Sequence, residues 1–381
     1  MPGTAPLRVP AQTGRRDLYL SSTTLVHRHQ FGCTHAATNP LNRTRKGTQR
    51  VTGLRFDIEI PTCREGVFVP CGFAAPDDVI ECVKLAERLG YEAVWATDFL
   101  TPTPESGVRA SESPSWYEPM ITLAYAAAET SRVRLGTGII ILPYRDPVIL
   151  AKQAATLDRL SKGRFLLGLG LGAWRSEFQA VAAWRGRAHR GRMAAEFTEV
   201  LRRLLDRDAG AVSFDGEYVG IRDVALYPKP VQDPLPFYMV GRNDDALDRV
   251  ARFGNALMVP YGAAAERRRS LAERAAAHRR AIDEFDVLAE GELLLAKSPE
   301  AAAAAYRESR FGQYRARQGL DLDAHIAANW VGTPESVAEK IGAVVEQGID
   351  HFNVLHVVGD TLDERFEQMR MFMDDVVPRL G

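Results

Sequence analysis

The sequence contains few cysteines, no long apolar run and almost no net charge. Its four cysteines, Cys33, Cys63, Cys71 and Cys82, include no C-x-x-C pair, which excludes a disulfide-rich scaffold and predicts a reduced, cytoplasmic protein. We expect Cys82 to be a small buried apolar side chain. No stretch of about 18 apolar residues occurs, so no transmembrane helix is expected. With a formal net charge of −1, the 381-residue chain gives no electrostatic reason to expect a nucleic-acid or membrane partner.

Residues 1–50 differ from the remainder in having almost no acidic residues and no periodic apolar pattern. They contain eight Arg or Lys residues and a single acid, Asp17. This composition predicts a disordered basic leader ahead of one domain over residues 51–381. The leader has no apolar core of about 7–15 residues, which excludes a secretory signal. Two alternatives are organelle targeting, which the Ala- and Arg-rich body disfavours because it is typical of bacterial chains, and a misassigned start, with translation beginning near Val51.

Short apolar strands alternate with amphipathic helices along the rest of the chain. "RVRLGTGIIIL" (132–142) is typical of one continuous buried strand, and "TPESVAEKIGAVVEQG" (333–348) begins with a capping Thr333 and a proline in the first turn. About eight such strand–helix units predict an α/β protein with a parallel sheet. In a chain of this length they favour a closed (β/α)8 TIM barrel with insertions over an open sheet.

The carboxyl ends of the strands form the active-site face of such a barrel. Two glycine-rich segments, 136–140 and 168–174, fall on this predicted face. Three long loops are expected to carry substrate specificity, over residues 99–115, 209–236 and 286–330. Within the last of them, residues 299–318 are predicted to form one helix.

Several long motifs resemble the bacterial luciferase-like superfamily of flavin- and deazaflavin-dependent oxidoreductases. They are "LGYEAVWATDF", "RVRLGTGIIILPYRDPVILAKQAATLDRLSKGRFLLGLGLG", "SFDGEYVGIRDVALYPKPVQDPLPFYMVG" and "VGTPESVAEKIGAVVEQGIDHFNV". The resemblance covers nearly all of residues 54–380 in the right order, and it is nearest the branch that uses coenzyme F420. It implies a TIM barrel with insertions, a homodimer, and a site for F420 or, as the alternative, FMN.

The resemblance also implies which residues hold the cofactor. A bulge at Gly138–Ile139 backs the ring in the family, and a glycine there allows close approach. A phosphate suits the start of the helix after "VGRND", although Arg242 stands where the family usually has a second glycine. The predicted cofactor-binding residues are Thr137, Gly138, Ile139, Gly170, Gly172, Arg175, Gly241, Arg242 and Asn243.

Asp98 and Tyr144 are the predicted catalytic residues, and for each a structural role is the alternative. Asp98 ends the second strand and is equally suited to anchoring the barrel rim, while Tyr144 could donate a proton to a substrate carbonyl. In the deazaflavin-dependent sugar-phosphate dehydrogenases, a histidine and a glutamate occupy the positions of Phe99 and Ala173. Since both protonating groups are absent, we do not expect that reaction to carry over.

No metal site is predicted. The histidines of the last strand, His351 and His356, are five residues apart and so point to opposite faces, which prevents them from binding one metal ion together. The more ordinary interpretation is that each is a core or surface side chain.

The resemblance predicts a two-electron oxidoreductase that transfers a hydride between F420 and an unidentified small organic substrate. The first alternative is an FMNH2-dependent monooxygenase that hydroxylates or carries out a Baeyer–Villiger insertion with O2. A flavin or F420 reductase is then a further expected partner. A non-catalytic flavin-binding barrel is the alternative of another class.

Overall fold

The computed structural model describes residues 53–61, 75–106, 116–241 and 243–381. The predicted leader, the alternative start near Val51 and Arg242 therefore lie outside the described residues. The strands are β1 (Arg55–Glu59), β2 (Ala93–Ala96), β3 (Arg134–Thr137), β4 (Ile140–Ile141), β5 (Phe165–Gly170), β6 (Ala211–Asp215), β7 (Gly220–Ala225), β8 (Phe237–Val240), β9 (Ala256–Pro260), β10 (Asp286–Leu295), β11 (Trp330–Gly332) and β12 (His351–Val357).

The α-helices that the structure describes are α1 (Pro76–Leu89), α2 (Pro119–Glu129), α3 (Pro147–Leu160), α4 (Arg175–Val181), α5 (Arg190–Leu205), α6 (Asp244–Phe253), α7 (Ala264–Ala277), α8 (Pro299–Glu308), α9 (Arg310–Arg317), α10 (Leu322–Ala327), α11 (Pro334–Val345) and α12 (Leu362–Met371). Many begin with a proline in the first turn, and Thr333 caps α11 as its sequence predicts. None of these helices is long and apolar enough to cross a bilayer.

Eight parallel strands close into a barrel, which confirms the predicted fold class. The strand order is β12, β1, β2, β3, β5, β8, β9 and β10, and β10 pairs with both β9 and β12 to complete the ring. The two short strands β4 and β11 extend this sheet beside β5 and β10. The helices pack their apolar faces against the outside of the barrel, and Cys82 of α1 is buried there with 1% exposure.

The predicted single strand over residues 132–142 is interrupted. From Gly136 to Ile140 the chain advances four residues, while its partner β5 advances three, from Leu166 to Leu169. This extra residue is a bulge, and the Gly138–Ile139 peptide bond within it is cis. The apolar pattern of this stretch does not reveal the insertion, but the bulge lies at Gly138–Ile139, where the family resemblance implies one.

Three further predictions were wrong in detail. The stretch 209–236 contains an antiparallel hairpin, β6–β7, whose mostly exposed residues give little apolar signal in the sequence. Residues 299–318 form two helices because Ser309 adopts an extended conformation and its hydroxyl accepts from the Gly312 N–H, which starts α9. The stretch 286–330 also contains the ten-residue strand β10, so it is far more ordered than a loop.

A buried ionic network fills the amino-terminal end of the barrel. The ring of His351 contacts Asp57 and Asp286 at 2.8 Å each, and both guanidinium nitrogens of Arg55 donate to Asp286 at 2.7 Å. The indole of Trp95 donates to Asp57 at 2.8 Å. Burial alone would lower the pKa of His351, but the two carboxylates outweigh it and raise the pKa to about 9. This end of the barrel serves stability, since the active-site face is the opposite one.

His356 lies apart from this network, as the sequence spacing predicts. Its ring packs 4.7 Å from the ring of Phe311 in α9.

Candidate active site

A cavity of about 420 Å³ opens at the carboxyl ends of the barrel strands. Its walls come from segments that follow β2, β3, β5 and β8, and its floor includes side chains of β9, β10 and β12. Six of the predicted site residues line it, namely Asp98, Gly138, Ile139, Gly170, Gly172 and Asn243. The structure therefore brings together residues that are up to 145 positions apart in the chain.

One wall consists mainly of backbone. The bulge residues Gly138 and Ile139 face Gly170 and Gly172 across the ends of β3 and β5. A β-carbon at Gly170 would lie 2.7 Å from Cδ1 of Ile139, and Gly172 has a φ of +77°, which favours glycine. Because these glycines carry no side chains, a bound ring can approach the backbone of this wall closely.

Thr137 lies behind this wall and not on its surface. It is fully buried, and its hydroxyl donates to the Gly168 carbonyl at 3.0 Å while accepting from the Gly168 N–H at 2.8 Å. This pair of bonds ties β3 to β5 below the bulge. Thr137 thus fixes the position of the backbone wall.

Asp98 holds the segment that follows the bulge. One carboxylate oxygen accepts from the Ile141 N–H at 3.0 Å, and the other accepts from Arg145 at 2.8 Å. Arg145 also binds Glu118 at 2.9 Å. Burial raises the pKa of Asp98 more than Arg145 lowers it. Because both oxygens are engaged, the arrangement supports the anchoring interpretation of Asp98.

Tyr144 and Glu177 lie side by side next to the glycine wall. The Tyr144 hydroxyl is buried without a hydrogen bond of standard geometry in the described part of the chain, and a β-carbon at Gly172 would lie 3.4 Å from it. Burial and the neighbouring Glu177 raise the pKa of Tyr144. Tyr144 does not line the cavity, so direct contact with a substrate requires its hydroxyl to move.

Glu177 does line the cavity and was not among the predicted site residues. Its side chain is 1% exposed, and Oε1 accepts from the Leu100 N–H at 3.0 Å. Burial raises the pKa of Glu177, against the lowering effect of Leu100 and Tyr144. In the sequence, Glu177 is an acid in the first turn of a helix that follows a glycine-rich strand. This pattern is too common in proteins to identify a site residue.

The start of α6 forms another part of the cavity lining. Asn243 caps this helix by accepting from the Ala246 N–H at 2.9 Å. Arg249 of the same helix also lines the cavity, and burial lowers its pKa. Gly241 lies below, where a β-carbon would be 2.4 Å from Leu257, so its small size serves packing. The N–H groups at the α6 start and the Arg249 guanidinium suit an anionic group, against the opposing charges of Asp244 and Asp245 in the first turn.

The loop between β5 and α4 is organised by an arginine that the sequence did not single out. Arg190 of α5 donates to the carbonyls of Leu171, Gly172 and Trp174 at 3.2–3.4 Å. The predicted Arg175 is exposed, donates to the Gly186 carbonyl at 3.3 Å and does not line the cavity. Arg190 therefore holds the loop that carries Gly172 of the backbone wall, without lining the cavity itself.

Another wall of the cavity is aromatic. Phe99 stacks on Trp116 with a centroid distance of 4.5 Å, and Trp174 meets the edge of Phe99 at 5.9 Å. All three rings line the cavity, beside Gly170 and Gly172. Ala173 is exposed at the cavity rim. The positions of Phe99 and Ala173 thus offer no group that can exchange a proton.

The cavity floor carries one further acid. Glu290 of β10 accepts from Nδ2 of Asn353 at 3.3 Å. Among the described residues, no three His, Cys, Asp or Glu side chains lie close enough together to hold a metal ion.

Curated relatives and solved structures resemble this chain over most of its length. An F420-dependent glucose-6-phosphate dehydrogenase from Beutenbergia cavernae is 28% identical over 333 residues, which cover 80% of this chain and 94% of that protein. A monooxygenase structure from Streptomyces bottropensis has a TM-score of 0.70 and 23% identity, and covers 86% of this chain and all of that one. The structure of an F420-dependent secondary alcohol dehydrogenase has a TM-score of 0.69 at 20% identity, covering 86% and 99% of the two chains.

The family model described as luciferase-like monooxygenase matches residues 55–351. This range contains seven of the eight barrel strands, the backbone wall, the aromatic wall and the start of α6. The resemblance that the sequence motifs predict is confirmed, and the chain belongs to the luciferase-like monooxygenase family.

Proposed function

We propose that this protein is an F420-dependent oxidoreductase that transfers a hydride between the deazaflavin and a small organic substrate. The observation that carries the proposal is the glycine-lined backbone wall at Gly138–Ile139, Gly170 and Gly172, facing the cavity of a luciferase-like barrel. Its similar curated relatives are named F420-dependent dehydrogenases, which favours F420 over FMN.

The described residues fit such a cofactor. The cavity volume of about 420 Å³ falls within the usual range for small-molecule sites. The backbone wall suits a planar ring, and the start of α6 with Asn243 and Arg249 suits a phosphate. When bound, the cofactor supplies the hydride chemistry, and the protein supplies binding, orientation and proton transfer.

Proton transfer is assigned to Glu177 together with Tyr144. The raised pKa of Tyr144 keeps its hydroxyl protonated at neutral pH, and the raised pKa of Glu177 favours exchange of a proton at its carboxyl group. Glu177 lines the cavity and Tyr144 lies beside it, so Tyr144 acts through Glu177 unless it moves. Asp98 contributes by holding the residues after the bulge in place.

The cofactor part of this proposal is tested by displacing the backbone wall. In Gly170→Val the added side chain collides with Ile139 of the bulge and shifts the wall, so we expect F420 affinity to fall by about tenfold or more in a fluorescence titration. Gly342→Ala is the matched control because a β-carbon at Gly342 has no neighbour within 4 Å. Equal F420 affinity in both variants would contradict the assigned ring position.

The FMNH2-dependent monooxygenase is distinguished in the same titration. Preferential binding of FMN would favour oxygenation, and binding of neither cofactor would contradict both enzyme proposals.

A further inference from the structure

We propose that the cavity takes an uncharged substrate with a flat apolar ring, bound against the aromatic wall formed by Phe99, Trp116 and Trp174. This inference deepens the proposed function, because it names the class of molecule that exchanges the hydride. It does not depend on which cofactor occupies the backbone wall.

The aromatic wall presents apolar ring surface next to the place assigned to the cofactor. Phe99 is 8% exposed and stacks on Trp116 at an interplanar angle of 27°, while Trp174 stands at 84° to Phe99. The stacked pair and the upright ring form a corner. Such a corner accommodates a flat ring through one stacked and one edge-to-face contact.

The polar edge of Trp116 is turned away from this corner. Its indole N–H donates to the Thr97 carbonyl at 3.2 Å, so the donor is already engaged with the backbone. Phe99 has no polar atom, and neither does the side chain of Ala173 at the rim. The aromatic corner therefore selects by shape and apolar contact more than by hydrogen bonding.

The charged side chains that line the cavity beside the aromatic corner are acids. The acids Asp98 and Glu177 line the cavity next to Phe99 and Trp174. The described arginines on this side are already engaged, Arg145 with Asp98 and Glu118, and Arg190 with three backbone carbonyls.

A phosphate group at this corner would face the carboxyl groups of Asp98 and Glu177, and neither Arg145 nor Arg190 lines the cavity. Arg249 is the one described arginine in the lining, and its guanidinium lies against Gly191 of α5. A phosphorylated sugar would therefore lose solvation at the aromatic corner without gaining compensating contacts. An uncharged ring compound loses little solvation and gains apolar contact area.

The experiment compares an uncharged aromatic compound with the same ring carrying a phosphate group and with a phosphorylated sugar. We would titrate the full-length protein with 2-naphthol, 2-naphthyl phosphate and glucose 6-phosphate by isothermal calorimetry, with and without saturating F420. We expect 2-naphthol to bind, 2-naphthyl phosphate to bind at least about tenfold more weakly, and glucose 6-phosphate to give no heat.

Variants locate the binding to the aromatic corner. Trp116→Ala and Phe99→Leu should each weaken 2-naphthol binding by about tenfold, since each removes one ring of the stacked pair. Phe99→Leu keeps the apolar volume, which guards against loss of folding. Trp184→Ala is the matched control, because Trp184 is 76% exposed and lies outside the cavity lining.

The outcomes separate this inference from the proposed function. The inference is overturned if 2-naphthyl phosphate binds as tightly as 2-naphthol, if no 2-naphthol binds in either state, or if the aromatic variants match Trp184→Ala. If 2-naphthol binds as expected while F420 does not bind, the proposed cofactor is wrong and the inference about the substrate class stands.

Discussion

Single residues with unusual surroundings decide the chemistry of this site. Glu177 is 1% exposed and lines the cavity. Its neighbour Tyr144 has a buried hydroxyl without a standard hydrogen bond in the described part of the chain. Phe99 and Ala173 offer no group that can exchange a proton. We therefore propose that another carboxyl group does this work, and Glu177 suits it because it lines the cavity and has a raised pKa.

Replacing Glu177 tests this assignment. Glu177→Gln keeps an oxygen for the Leu100 N–H but cannot exchange a proton, so we expect kcat to fall by about 100-fold or more while F420 affinity is retained. The pH dependence of kcat should also lose the limb that reports this group. Glu105→Gln is the control, because Glu105 is an exposed acid that contacts the same helix through Ser176. Unchanged kcat in Glu177→Gln rules out the assignment.

Replacing His351 tests the role of the ionic network at the amino-terminal end of the barrel. His351→Gln leaves Asp57 and Asp286 without their shared cation, and we expect the free energy of unfolding to fall by about 3 kcal/mol. In the parent protein, a native pKa of about 9 exceeds the ordinary value of 6.5. The contribution of His351 to the free energy of unfolding is therefore fully present below pH 6.5, and it is lost as the pH rises towards 9.

The measurement is urea unfolding of parent and variant at pH 6 to 9.5. The difference between them should shrink as the pH rises. A constant difference over this range would mean that His351 is not protonated in the folded protein.

At the scale of elements, the bulge between β3 and β4 and the loop between β5 and α4 build the backbone wall together. Arg190 binds three carbonyls of that loop, while Asp98 holds the far side of the bulge. Both contacts join segments that are distant in the sequence. The backbone wall thus depends on contacts made by side chains that are not part of it.

Removing the Arg190 side chain should make the loop between β5 and α4 more mobile without unfolding the barrel. For Arg190→Ala we expect F420 affinity to fall by about tenfold and amide exchange to rise in peptides covering residues 171–174. Arg192→Ala serves as control, since Arg192 is 63% exposed and pairs with Glu217 on the surface. Exchange rates that match the control would show that the loop holds its shape without Arg190.

The elements show where sequence patterns were sufficient and where they were not. Alternating apolar strands and well-capped helices such as α11 predicted the barrel, because each signal is local. The bulge was implied only by the family resemblance, and the hairpin β6–β7 and the break at Ser309 were missed because exposed strands and a single capping serine give little apolar signal. The cavity roles of Glu177 and Arg249 were missed because they depend on contacts between segments that are distant in the sequence.

At the scale of the whole molecule, an exposed apolar surface remains on the outer helices. Ile121 and Tyr125 of α2 and Ile149 and Leu160 of α3 are 49–73% exposed, and α2 packs beside α3. Large exposed apolar side chains on neighbouring helices are typical of protein–protein contacts. We propose that this surface, α2–α3, forms the homodimer that the family resemblance implies.

Charge on this surface should separate the subunits. For the double variant Ile121→Lys and Ile149→Lys we expect a monomer in sedimentation velocity, where the parent protein sediments as a dimer. Leu320→Lys is the control because Leu320 is 41% exposed but lies after α9, away from this surface. A dimeric double variant, or a monomeric parent, would contradict the proposed interface.

The central claim is that the backbone wall and the α6 start together bind F420. Equilibrium dialysis of the purified protein against F420 and against FMN, at matched concentrations, tests it most directly. We predict saturable binding of one F420 per chain, at least about tenfold tighter than FMN. Tighter binding of FMN, or no saturable binding of F420, would contradict the account.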